Sequence, residues 1–383
     1  MKIVIDGRMY GLEHAGIGRY VLNLISYLEK TDQDNHYWIL LRDKYFKTVH
    51  FTNPNFKKVR VDLPHYSLAE QLFLPLKLFS LKADIVHFPH FNVPLFYFGR
   101  FVVTIHDLIK HEFKGKQTTT KAEILYWPKY FLYRLLTAIT IKRASIILTP
   151  SLWWRKRLTD KYGVPAAKII VTYEGASEFN KFKFNKKQAE KLLTDLKIKK
   201  PYLIYVGNLY PHKNVERLVM AVKKLRKEFD LQLVIAGSRN IFFDRFRQKT
   251  ASHLITSKNG FVNLVGFQDN EQLFYLYRQS VALVFPSLLE GFGLPGLEAF
   301  AAQTVVIASN NSCLPEIYGG GAIYFNPLDI NDMASKIRLV LKDGKKGKQL
   351  IDEGTRQLKK YNWQKMASET LAAYHQAVFK NRP

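Results

Sequence analysis

Short runs of branched and aromatic apolar residues recur along the chain, and helical stretches separate almost all of them. Lys2–Asp6, Tyr37–Leu41, Lys58–Asp62, Ile85–Phe88, Phe101–Ile105 and Ile146–Thr149 form a first series, closed by a strand and turn over Ile169–Gly175. Tyr202–Val206, Leu231–Ala236, Val262–Val265, Leu283–Phe285, Val305–Ala308 and Ala322–Phe325 form a second. Runs this short, and apolar on both faces, suit parallel strands covered by helices. Alternation of strand and helix gives an α/β class, in which ligands bind at the carboxyl ends of the strands. Two series in 383 residues predict two Rossmann-like domains. The lysine-rich stretch Phe179–Lys200 separates them, with a linker near Glu178–Asn185, so the domains are read as 1–178 and 179–363.

Three strand-to-helix turns carry glycine. In Ser287-Leu-Leu-Glu-Gly-Phe-Gly-Leu-Pro-Gly-Leu-Glu298 the turn follows the apolar run Val281–Phe285 and precedes an apolar helix, Leu297–Ala302. Unpaired backbone N–H groups and the positive end of a helix dipole meet there and suit an anion such as a phosphate. Gly291 and Gly293 allow close approach of the backbone to a ligand. Glu290 sits in the loop and Glu298 in the first helical turn, so both can face one cleft. The plainer alternative is a structural connection whose glutamates are solvated or cap the helix. The turn Gly207–Asn214 leads into a helix over Val215–Leu225, where Lys213 can reach a diphosphate at the helix start. The turn Gly7–Gly18 opens a helix with Tyr20, Val21, Leu24, Ile25 and Leu28 at helical spacing, without the G-x-G-x-x-G pattern.

Histidines stand at two strand ends: His87 and His90, and His106 followed by Asp107, which is placed to orient the ring. Their spacing matches no zinc site. The tripeptide Asp32-Gln-Asp34, a metal signature in other contexts, follows a helix in a polar stretch and reads as a helix-terminus loop. Lys110–Lys121 reads as a mobile surface loop. Leu125–Ile141 is rich in aromatic and basic residues; it suits either a bilayer surface or a domain helix with its aromatic side turned inward, and the spread of rings around the helix favours the latter.

The net charge of +26, from 58 basic and 32 acidic residues, draws the chain to polyanions: nucleic acid, anionic lipid or phosphorylated substrates. The lysines are scattered and no nucleic-acid-binding signature occurs, so nucleic acid is not expected as a partner. Peripheral contact with an anionic membrane stays open. One cysteine, Cys313, cannot form an internal disulfide and favours a reducing compartment. No apolar run reaches roughly 18 residues, and the first is too short for a signal peptide. A cytoplasmic location is expected, with a peripheral position on the inner membrane face as its variant.

The paired glutamates Glu290 and Glu298, with Gly207–Asn214 about eighty residues before them, resemble the motifs of the retaining family 4 (group 1) glycosyltransferases. That family has the GT-B fold, two Rossmann-like domains facing across a cleft. The resemblance runs over essentially the whole chain. It implies that Glu290 faces the donor sugar, that Glu298 holds the nucleotide ribose, and that the backbone of Phe292, Gly293 and Leu294 faces sugar and diphosphate. Lys213 matches the family's phosphate lysine, and Asn208 stands where many members carry an arginine. Gly16 and Gly18 fall in the family's opening glycine loop near the donor phosphate, with Ala15 replacing a preceding glycine. His106 matches a histidine at the sugar and diphosphate edge. The stretch from Tyr361, with 364–383 completing the N-terminal domain, resembles the family's terminal helix. Gly-x-Gly-Arg-Tyr with Gly-Asn-x-Tyr-Pro-His-Lys-Asn is similar to bacterial mannosyltransferases. The implied donor is GDP-mannose, the implied acceptor a glycan or lipid-linked saccharide, and no metal or cofactor is required. UDP-sugar transferases, a sugar-nucleotide epimerase and a non-catalytic nucleotide-sugar binder are the alternatives.

Overall fold

The computed structural model describes residues 1–115, 123–176, 179–238, 241–249 and 260–379, without the side chains of 123–125, 180 and 249. The chain forms two compact units. One comprises Met1–Glu112, Lys121–Gly175 and Asn362–Pro383; the other comprises Phe113–Thr120 and Ala176–Tyr361.

The first unit runs β1 (Lys2–Asp6), α1 (Ala15–Thr31), β2 (His36–Leu41), α2 (Asp43–Thr48), β3 (Phe56–Arg60), α3 (Leu68–Leu81), β4 (Ile85–Phe88), β5 (Phe101–Thr104), α4 (Ile109–Glu112), α5 (Glu123–Arg143), β6 (Ile146–Thr149), α6 (Leu152–Tyr162) and β7 (Ile169–Val171). The second runs α7 (Lys186–Asp195), β8 (Tyr202–Val206), α8 (Val215–Leu225), β9 (Gln232–Ala236), α9 (Ile241–Lys249), β10 (Val262–Gly266), α10 (Asn270–Gln279), β11 (Ala282–Phe285), α11 (Leu294–Ala301), β12 (Val305–Ser309), α12 (Leu314–Tyr318), β13 (Ala322–Phe325), α13 (Ile330–Lys342) and α14 (Gly344–Leu358). A last helix, α15 (Trp363–Phe379), returns to the first unit and packs on α1.

Every strand pairing is parallel. The seven-stranded sheet has the order β3-β2-β1-β4-β5-β6-β7, and the six-stranded sheet the order β10-β9-β8-β11-β12-β13. The central strands are buried along their length because helices cover both faces: β4, β5, β6 and β11 expose nothing. In each sheet the chain first winds one way and then returns past its starting strand. The reversal falls between β1 and β4, and between β8 and β11, and such points open a crevice at the strand ends. The loops after β1 and β4, and those after β8 and β11, are therefore the ones positioned to hold ligands.

Expected and observed strands agree to within two residues at nearly every end, because apolar runs bounded by turns are local signals. The linker stretch differs in character. Residue 178 lies outside the described residues, and Phe179 is buried against Phe274 and Tyr277. The expected loop Lys110–Lys121 is described only to residue 115; its first three residues, 110–112, belong to α4. Asp32 is the C-cap of α1, buried, and accepts hydrogen bonds from the Tyr37 hydroxyl and the Asn35 amide at 2.5 and 2.8 Å. Helix α5 meets the expectation only in part: Tyr130 faces inward with Thr137 and Thr140, while Trp127, Phe131, Leu132 and Leu135 face solvent. The helix is apolar on most sides, so whichever stripe packs inward leaves others outside.

Candidate active site

At the reversal of the second sheet, two loops are laced together. The Leu288 N–H donates to the His212 carbonyl at 2.8 Å. Asn214, in the left-handed conformation at the start of α8, donates through its side-chain amide to the carbonyls of Pro286 and Pro327 at 3.0 and 2.7 Å. Lys213, the preceding residue, points across the gap. Its Nζ lies 2.7 and 2.8 Å from the two carboxylate oxygens of Glu290. The Lys213 side chain is 17 % exposed and that of Glu290 8 %, so the pair is shielded but reachable. A carboxylate held there without a cation would be costly, and the lysine offsets that cost.

The loop between Glu290 and α11 is fixed from below. The Glu290 N–H donates to the Ser312 hydroxyl at 3.2 Å. The Cys313 thiol is buried and lies 3.4–3.5 Å from the carbonyls of Glu290 and Phe292. Burial, with Glu290 nearby, pushes that thiol well up, so it serves as a neutral donor. The Tyr318 hydroxyl donates to the Gly293 carbonyl at 2.6 Å. Gly293 has φ +105°, and a Cβ there would stand 2.6 Å from the Tyr318 oxygen. The glycine is thus required by the turn and by Tyr318. With the carbonyls of Phe292 and Gly293 turned into the protein, the N–H groups of Gly293 and Leu294 take no hydrogen bond among the described residues. They sit at the N-terminus of α11, where an anion is favoured.

Helix α11 begins at Leu294, earlier than its apolar run suggested, because Pro295 fits a first helical turn. Glu298 therefore lies one turn deeper than expected. It is 3 % exposed and accepts a hydrogen bond from the Tyr277 hydroxyl of α10 at 3.2 Å. Asn208 lies in the loop after β8, where its carbonyl accepts from Tyr205 at 2.7 Å. His212 stacks on Tyr210; burial and the adjacent Lys213 lower it to about 3, so it is a neutral imidazole.

The reversal of the first sheet holds the other expected residues. Gly16 lies in the first turn of α1, and a Cβ there would meet nothing within 4 Å. Gly18 differs: a Cβ would fall 1.8 Å from the Gly11 carbonyl, so this glycine lets α1 pack on the preceding turn. Only Gly16 keeps the character of a ligand-approach glycine. Ala15 has φ +52° and ψ −131°, a conformation natural to glycine and strained for alanine.

His106 follows β5. Its Nδ1 is 3.0 Å from Glu174 and its Nε2 is 3.1 Å from the Pro89 carbonyl. The ring stands edge-on to Tyr20 at 4.7 Å. The residue that orients the imidazole is Glu174, beyond β7, and not Asp107, which accepts the Ile109 N–H at 3.0 Å and so begins α4. His87 is structural: buried, lowered to about 3 by burial and then by His106, and bonded to Tyr374 and Thr104 at 2.6 and 2.8 Å. Sequence reasoning also missed Arg8. It is 1 % exposed and pairs with Asp6 and Glu70, both at 2.7 Å, while Asn92 donates to both Glu70 oxygens. A charged residue directly after the glycine that follows β1 was the available signal. Among the described residues no group of three metal-ligating side chains converges.

Two parallel sheets, each with a reversal point, and an ion pair beside a helix N-terminus at one of them define the GT-B class of nucleotide-sugar enzymes. The solved structures agree in fold: sucrose-phosphate synthase from Thermosynechococcus elongatus superposes with a TM-score of 0.76 at 20% identity, covering 98% of both chains. A glycosyltransferase from Rickettsia africae does so at 0.73 and 16%, covering 100% of this chain and 99% of that one. Residues 14–177 match the model described as Glycosyltransferase Family 4, and residues 186–357 that of Glycosyl transferases group 1. The chain belongs to this glycosyltransferase family. Among its relatives, the O-antigen chain mannosyltransferase B of Escherichia coli is 28% identical over 298 residues, 76% of this chain and 74% of that protein. The O-antigen chain mannosyltransferase RfbU of Salmonella typhimurium is 31% identical over 245 residues, 62% of this chain and 64% of that protein.

Proposed function

We propose that the chain is a retaining mannosyltransferase that moves mannose from GDP-mannose to a hydroxyl of a glycan or lipid-linked saccharide at a membrane surface, without a metal. The observation that carries the reading is the Lys213–Glu290 pair, set beside the N–H groups of Gly293 and Leu294. Lys213 spends two of its three N–H donors on Glu290 and keeps one for a phosphate oxygen. Together with the α11 N-terminus it supplies positive charge where the diphosphate departs. Glu290 lies next to that position and suits the sugar ring as it gains positive character. Glu298, on α11, is the candidate for the ribose hydroxyls.

In the reaction the bond from the sugar anomeric carbon to the phosphate oxygen breaks as the acceptor oxygen bonds to the same face of that carbon. The acceptor proton passes to the departing diphosphate. Both Glu290 oxygens are engaged by Lys213, which favours this course over a covalent glycosyl–Glu290 intermediate. The names of the O-antigen relatives support mannose as the sugar. A thermal-shift screen with GDP, UDP and ADP, each alone and as its sugar derivatives, tests the donor. GDP and GDP-mannose should raise the melting midpoint, in chelator as in magnesium. Stabilisation by UDP-sugars alone, or only with metal, would overturn the reading.

A further inference from the structure

The first unit exposes more apolar surface than its sheet requires, and that surface is gathered. Along α3, Leu68, Leu72, Phe73, Leu76 and Phe79 are between 46 and 83% exposed. Leu68, Leu72, Leu76 and Phe79 recur every three or four residues and Phe73 adjoins Leu72, which puts them on one side of the helix. On α5, Trp127, Phe131, Leu132 and Leu135 are between 38 and 65% exposed. Between the two helices lies the loop that carries Phe96 and Phe98, 48 and 74% exposed. Contacts fix this arrangement. The Leu95 N–H donates to Gln71 of α3 at 2.8 Å, and Tyr97 packs on Phe79 at 5.3 Å. From the other side Arg143 of α5 donates to the carbonyls of Leu95, at 2.7 Å, and Tyr97, and stacks over Phe98.

Charge over the described side chains of this surface is almost all of one sign, with Asp84, exposed beyond the end of α3, as the exception. Over Leu68–Lys82, Pro94–Arg100 and Tyr126–Arg143 the only carboxylate is Glu70, which is wholly buried against Arg8. Exposed among the rings are Lys77, Lys82, Arg100, Lys129, Arg134 and Lys142. An apolar patch larger than a few hundred Å² marks an interaction site in most proteins. A second copy of the chain would bring like charges together. An anionic bilayer instead takes apolar side chains into its acyl boundary and attracts each cation at its surface.

We propose that α3, the Phe96–Phe98 loop and α5 form one face that docks on an anionic lipid bilayer. This deepens the reading that the acceptor is presented at a membrane surface, on which it rests. The test uses the full chain with vesicles of phosphatidylcholine, with and without phosphatidylglycerol. Co-sedimentation should need the anionic lipid and weaken as salt rises. Trp127 emission should shift to the blue on binding, and Trp127→Phe should remove most of that shift. The double variants L72S/F73S and F131S/L135S should each bind about tenfold or more weakly. Because these side chains are exposed, their melting midpoints and their stabilisation by GDP should match wild type. Absence of binding by the wild type, equal binding to neutral vesicles, or unchanged binding in both double variants would overturn the proposal. So would loss of a dimer, rather than of vesicle binding, in those variants. If GDP fails to stabilise any form while vesicle binding behaves as described, the donor assignment fails and the docking face stands.

Discussion

Glu290 and Lys213 are the residues whose removal separates binding from chemistry. Glu290→Gln keeps the shape and loses the charge, so turnover should fall by about 10²–10³ while nucleotide affinity changes little. Steady-state rates beside a GDP titration check this; wild-type rates would refute the role. Glu298→Ala should do the reverse, weakening GDP binding more than it lowers turnover. Glu174→Gln should act through His106, since its carboxylate holds Nδ1 at 3.0 Å; a turnover–pH profile that shifts while affinity for GDP holds would identify a positioning role. Glu290 and Lys213 were legible because each sits in a glycine-bearing turn with its own local pattern. Glu174 and the outer half of the Arg8 cluster were not, because Glu174 meets His106 and Arg8 meets Glu70 across 68 and 62 residues, and no local pattern encodes those contacts; only the Arg8–Asp6 pair is local.

At the scale of elements, the turn before α1 separates two kinds of glycine. Gly18→Ala would drive a methyl to within 1.8 Å of the Gly11 carbonyl, so it should cost on the order of 1–3 kcal/mol or more. Gly16→Ala meets open space and should leave the melting midpoint close to wild type while weakening donor binding. A parallel series of melting curves and GDP titrations distinguishes them; equal loss of stability in both would remove Gly16 from the site. Ala15→Gly should stabilise by roughly 1 kcal/mol, by releasing backbone strain. Family resemblance singled out Gly16 as the functional glycine; that Gly18 is the one that packing requires comes only from the structure. Strands and helix spans were readable from periodicity, down to α8 at Val215–Leu225. Which stripe of α5 turns inward was not, because apolar residues surround that helix.

Across the whole molecule, two neutral histidines shape the response to acid: His87, wholly buried, and His212, half-buried. His87 and His212 are held near 3 by burial, against about 6.5 in an unfolded chain. Below that value the unfolded chain takes up protons that the folded one refuses. The stabilisation is therefore complete above pH about 6.5 and is lost as pH falls toward 3, at up to about 1.4 kcal/mol per unit per histidine. The melting midpoint should drop between pH 7 and 5, and His87→Gln should flatten that slope; a slope that begins only in the carboxylate range would contradict this. The two-sheet plan was readable from the doubled series of strands. That α15 packs on α1 was carried by family resemblance and not by periodicity. The most direct test of the account is a titration of GDP-mannose into the wild type and Lys213→Ala in the presence of chelator. Binding by the wild type that falls at least tenfold in the variant is expected, because the variant leaves Glu290 facing the diphosphate without its cation. Equal affinity in the two proteins would mean that the diphosphate does not lie beside this pair.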